Sequence, residues 1–85
     1  MESYRLEVKR SAAKEIGDLH KADCQRVIAK IQLLVSNPRP HGCEKLSGDE
    51  KYRIRQGDYR ILYEIDDAAK LVTIMKVGNR REVYR

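Results

Sequence analysis

Arg53 and Arg55 are separated by one residue, and Arg60 follows them across a Gly57-Asp58 pair that reads as a tight hairpin turn. In a strand, alternate side chains share a face. Arg53 and Arg55 therefore point one way and Tyr52 and Ile54 the other; after the turn, Arg60, Leu62 and Glu64 oppose Tyr59, Ile61, Tyr63 and Ile65. If Tyr52, Ile54, Ile61 and Ile65 lie under a core, the three arginines share the open face of a sheet. Arginine stays protonated and its planar fork can bind a phosphate through two parallel hydrogen bonds, so this cluster has the chemistry of phosphate binding. The competing reading is an ordinary solvated face, because charged and apolar residues alternate on most half-buried sheets.

The basicity is local. Residues 51–85 hold nine Lys and Arg against five Asp and Glu, whereas residues 1–50 hold nine against eight. Four of the five tyrosines, Tyr52, Tyr59, Tyr63 and Tyr84, fall in the same basic stretch. Cations interleaved with flat rings suit a surface that holds phosphates and stacks bases, which makes a nucleic acid the first partner to consider.

Other site chemistries find no foothold. The chain has no glycine-rich phosphate loop, no G-x-S-x-G elbow, and no histidine after His41 to complete a two-histidine ribonuclease pair. Asp66-Asp67 falls where a hairpin turn is expected, a usual place for local hydrogen bonding. His20, Cys24, His41 and Cys43 form a four-ligand inventory for zinc, yet their spacings match no common finger. Reduced thiols and surface histidines are the simpler reading, with no metal and no cofactor. The longest apolar run, Leu33 to Val35, cannot span a bilayer, and no secretory signal precedes it, so a cytoplasmic protein without membrane attachment is expected.

The elements that must position the arginines can be read from periodicity. Eighty-five residues make one small domain, residues 1–85, whose core must come from Leu, Ile, Val, Ala and Tyr because Phe and Trp are absent. Tyr4 to Val8 alternates as a strand. Ser11 offers a cap for a short helix through Ala12, Ile16 and Leu19 that ends near Lys21. Asp23 caps a stronger helix carrying Val27, Ile28, Ile31, Leu34 and Val35, which Asn37-Pro38 stops. Arg39 to Glu50 reads as a long ordered loop. Tyr52–Gln56, Tyr59–Asp66 and Lys70–Val77 then form three antiparallel strands. The order is β-α-α-β-β-β, an α+β domain with two N-terminal helices packed on one face of a small antiparallel sheet.

Lys45-Leu46-Ser47-Gly48, the run from Tyr52 to Ile65, and the ending Val77-Gly78-Asn79-Arg80-Arg81-Glu82-Val83-Tyr84 resemble RelE toxins of the RelE/ParE superfamily. The resemblance implies the RelE-like fold and a toxin of a type II toxin-antitoxin system that cleaves mRNA in the ribosome. It implies a cognate RelB-like antitoxin with an acidic amphipathic segment, in a complex that binds its own operator through the antitoxin. It places Arg53 and Arg55 at two basic active-site positions, Arg60 at a phosphate-contacting arginine, Arg80 at a second essential arginine and Tyr84 at a tyrosine that contacts the substrate base. Lys51, Asn79 and Arg81 follow as further RNA contacts.

Two departures touch proton transfer. Arg53 and Arg55 replace lysines of the best-known members, and Asn79 stands where many relatives have histidine. Arginine stays protonated and asparagine does not titrate, so the proton acceptor is left without an assignment. Two other functions fit the same superfamily: a ParE-like inhibitor of DNA gyrase that acts by binding, and a decayed toxin that binds nucleic acid without cutting it.

Overall fold

The computed structural model describes residues 3–46 and 50–79 of the chain. Seven elements follow one another: β1 (Arg5–Val8), α1 (Arg10–Gly17), α2 (Lys21–Ser36), β2 (Glu44–Lys45), β3 (Lys51–Gln56), β4 (Tyr59–Asp66) and β5 (Leu71–Asn79). They build one five-stranded sheet in the order β1-β5-β4-β3-β2. The meander is antiparallel as expected, but β1 joins it as a parallel edge strand beside β5, with Arg5 opposite Leu71 and Val8 opposite Ile74. The sheet is therefore mixed. The two helices between β1 and the meander supply the crossover that a parallel neighbour needs.

Both helices begin earlier than their side-chain caps would place them. α1 starts behind Lys9 and α2 behind His20, and neither cap residue makes a side-chain hydrogen bond. Ser11 and Asp23 instead lie inside the first turns, where Asp23 keeps its negative charge near the positive end of the α2 dipole. α1 ends at Gly17, short of Leu19. The loop before β3 contains the two-residue strand β2, paired with β3 through Glu44–Arg53 and Lys45–Tyr52. β3 and β4 are joined across Gly57-Asp58, where Gly57 takes a φ of 61°, a conformation that glycine adopts without a Cβ clash.

The helices bury Ala12, Ile16, Val27, Ile31 and Leu34 against Tyr52, Ile54, Ile61, Tyr63, Ile65, Val72, Ile74 and Val77 of the sheet. Buried positions alternate through β3 and β4 as the sequence demands. In β5 they do not, because the ladder shifts register at Leu62/Tyr63: Leu62 faces Lys76 while Tyr63 faces Ile74. The extra residue, Met75, lets Val72, Ile74 and Val77 all reach the core despite their mixed parity. Beyond the end of β1, the Val77 N–H donates to Glu15 of α1 at 2.9 Å instead of to a strand.

Among the described residues no helix is long and apolar enough to cross a membrane. Cys24 and Cys43 are free thiols, each half-buried against the core.

Candidate active site

The face of the sheet turned away from the helices carries the cations. Tyr52 and Ile54 are pulled into the core, so Lys51, Arg53 and Arg55 emerge on the opposite side of β3. Register then decides which residues of β4 meet them. Arg55 stands directly across from Arg60, Arg53 across from Leu62, and Lys51 across from Glu64. On the other flank of β3, Glu44 of β2 is opposite Arg53, and its Oε1 lies 3.3 Å from the guanidinium. The structure thus brings Lys51, Arg53, Arg55 and Arg60 onto one patch, with Glu44 as a carboxylate inside it.

Exposure grades steeply across this patch. Arg55 is open, the Arg53 side chain is 16% exposed, and Arg60 is 3% exposed. The expectation of an open Arg60 is corrected. β4 is the central strand, flanked by β3 and β5, and a side chain in the middle of a sheet is the hardest to reach from solvent. Arg60 is the one buried charged residue among those described.

The tyrosines also depart from the expected stacking surface. Tyr52 and Tyr63 belong to the core, their rings stacked with centroids 5.8 Å apart. The Tyr63 hydroxyl donates to the Pro38 carbonyl at 2.7 Å, and burial holds it far less acidic than a free phenol. Tyr59 donates to Asp23 at 3.2 Å, tying the hairpin to α2. Tyr4 donates to Asp67 at 2.6 Å. Each described tyrosine has a structural job. Tyr84, Arg80 and Arg81 lie outside the described residues. Asn79, opposite Tyr59 and two positions beyond the buried Val77, sits on the helix side of the sheet, away from the arginines.

A second cluster escaped the sequence reading. Arg39 grips Asp67 through two bonds of 3.2 and 2.9 Å, donates from Nε to the Tyr52 hydroxyl at 2.9 Å and lies over the Tyr52 ring. Hydrogen bonds from Arg39 and then from Tyr4 hold the Asp67 carboxyl down at about 2. The cluster fastens the chain after α2 to the β4–β5 turn and to β3. Nothing in the local sequence signals it, because its members lie 63 and 28 residues apart along the chain. Glu44 was overlooked for a related reason: a two-residue strand leaves no periodicity to read.

Comparison with known proteins fits this geometry. A family model described as the ParE toxin of the type II toxin-antitoxin system, parDE, matches residues 6–84. A protein named as toxin RelE1 in Methanocaldococcus jannaschii is 27% identical over 86 residues, spanning 96% of each chain. The toxin in the crystal structure of the archaeal RelE-RelB complex from Pyrococcus horikoshii superposes with a TM-score of 0.83 at 31% identity, over 92% of this chain and 96% of that one. The isolated E. coli RelE toxin gives 0.81 at 26%, over 96% and 92%. With a family model covering nearly the whole sequence and RelE toxins sharing the whole fold, the chain belongs to the RelE/ParE superfamily of type II toxin-antitoxin toxins.

Proposed function

We propose that this toxin is an endoribonuclease that cuts mRNA in the ribosome, by attack of a 2′-hydroxyl on the adjacent phosphate and without a metal ion. The observation that carries the reading is the cationic patch, with Arg55 and Arg60 face to face and Arg53 and Lys51 beside them. Such a reaction needs an aligned nucleophile, stabilisation of charge on a phosphorane-like transition state, and a proton for the departing 5′-oxygen. In this reading Arg53 and Arg55 take the developing charge. Arg60, buried behind them, adds a field that little solvent screens. Arg80 joins this set, and Tyr84 stacks on the neighbouring base or protonates the leaving oxygen. Lys51 and Arg81 hold the RNA backbone, and Asn79 contacts RNA at the sheet end. A site this poor in titrating groups gains most from a substrate held in reactive geometry by something larger, which gives the ribosome its part. The product is a 2′,3′-cyclic phosphate or the 3′-phosphate formed from it.

The resting partner in this reading is a RelB-like antitoxin. The similar RelE toxin of Pyrococcus horikoshii was solved in complex with RelB, and a basic patch of this kind suits an acidic amphipathic segment whose binding weakens with salt. The complex binds its own operator through the antitoxin, and the toxin acts in the cytoplasm.

The family model, described by ParE, favours a second reading, inhibition of DNA gyrase by binding. Primer extension on translated mRNA after induction, paired with a gyrase supercoiling assay, separates them. Cuts within translated codons that leave a 2′,3′-cyclic phosphate or 3′-phosphate end in a purified translation system support the ribonuclease. Intact mRNA with inhibited supercoiling selects gyrase, and growth arrest with neither overturns both.

A further inference from the structure

One stretch of the open face is apolar. Leu62 stands on the same side of β4 as Arg60, directly across from Arg53 on β3 and from Lys76 on β5. Met75, the extra residue of the β5 irregularity, follows the buried Ile74 and so takes the opposite side of the sheet, beside Leu62. Both side chains are half-buried. Arg53 and Lys76 flank the pair, and the Lys76 ammonium is drawn toward α1 by Glu15, 3.3 Å away. Arg60 lies two residues along β4 from Leu62, a step of about 7 Å.

We infer that Leu62 and Met75 form the floor of a nucleobase subsite, on which a base next to the scissile phosphate lies by its face. The inference rests on the ribonuclease reading above and adds to it a contact that no arginine supplies. RNA carries its charge on phosphates and its apolar surface on the faces of its bases. A nucleotide whose phosphate is gripped at Arg55 and Arg60 therefore needs an uncharged surface one ribose away. Leu62 is at that remove from Arg60 and on the same face, with Arg53 opposite it and two residues from Arg55. Leucine and methionine offer almost no directional hydrogen bonding, and the methionine thioether adapts to the shape of a ring. The subsite thus answers to the presence and size of a base, not to its hydrogen-bonding edge.

The test is a double-mutant cycle between protein and RNA, read as the rate of single-turnover cleavage of ribosome-bound mRNA by the full chain. The mRNAs carry an abasic ribonucleotide, which keeps its 2′-hydroxyl, at one or the other position flanking the cut. On intact mRNA Leu62→Ala should lose roughly 10-fold, the scale of a methylene or two in an apolar pocket. On mRNA abasic at one of the two positions the same substitution should change the rate by no more than about twofold, because the contact is already gone. Met75→Ala should show the same coupling, and the volume-conserving Leu62→Met should cut near the wild-type rate. Losses from Leu62→Ala and from the abasic site that multiply at both positions overturn the subsite and leave Leu62 as cover for the central strand; undiminished cleavage by Leu62→Ala overturns it too. Should Leu62→Ala fail to fold, the cycle is read from Met75→Ala with the same two outcomes. A wild type that does not cut RNA overturns the ribonuclease reading itself, a result distinct from any change among variants of an active enzyme.

Discussion

Arg55 and Arg60 face one another directly across the β3–β4 ladder, two like charges at adjacent positions on one face of the sheet. A cross-strand pair of this kind is destabilising, and nothing in the core requires it, since both side chains point away from the helices. The arrangement has the form expected where binding chemistry outweighs stability.

Relieving it should therefore trade one for the other. Arg55→Gln removes a cation from an exposed position, and should raise stability by ~0.2–1 kcal/mol while lowering cleavage by about 10²-fold. Denaturant unfolding and single-turnover cleavage measure the two sides. Lower stability in the variant would show that Arg55 is tied into the sheet.

Arg60 should behave differently, because it is buried. Arg60→Ala removes charge and the packing of a long stem together, so activity and thermal midpoint should both fall, the midpoint by about 4–8 °C for each kcal/mol lost in a domain this size. Arg60→Lys keeps the charge and most of the stem. It should fold near the wild-type midpoint yet cut more slowly, having lost the planar fork. Full toxicity in Arg60→Ala would remove Arg60 from the reaction.

Acid should loosen the Arg39–Asp67 tie. The folded carboxyl is held at about 2, below the ordinary value near 3.8. A group depressed on folding contributes its full stability above its unfolded pKa and loses it as pH falls toward the folded one. The Asp67 contribution is thus complete at neutral pH and disappears between about pH 4 and pH 2. Asp67→Asn should flatten the stability profile in that window, read by thermal melts. An unchanged slope would mean that other carboxylates govern the acid transition.

Tyr84→Phe separates ring from hydroxyl. Stacking survives the change and proton transfer does not, so near-normal cleavage assigns the ring, whereas a large loss of rate with ribosome binding intact assigns the hydroxyl. Undiminished activity in Tyr84→Ala removes both roles.

How much of this was legible before folding depended on the range of the interaction. Strand parity placed Arg53, Arg55 and Arg60 on one face from local alternation alone, and the Gly57-Asp58 turn fixed the register that sets Arg55 against Arg60. Exposure was not legible: whether Arg60 is open depends on β5 as well as β3, and β5 enters the sheet from later in the chain. The helix starts were misplaced for a plainer reason. Ser11 and Asp23 are good caps by type, but the backbone turned before reaching them. Asn79 escaped because the register shift opposite Leu62/Tyr63 changes the parity of everything after Met75.

The parallel pairing of β1 with β5 also sets an order of events during synthesis. Arg5 must wait for Leu71, 66 residues later, before it has a strand to bond. Until then the two helices have only each other and an incomplete sheet to cover, and the loop closed by the last pairing spans most of the chain. Closure of the sheet is thus among the latest steps, slow for a protein so small. A newly made toxin passes through an interval in which its arginine hairpin can already form while its edge remains open, and a partner that binds during that interval meets the cationic patch before the finished fold exists.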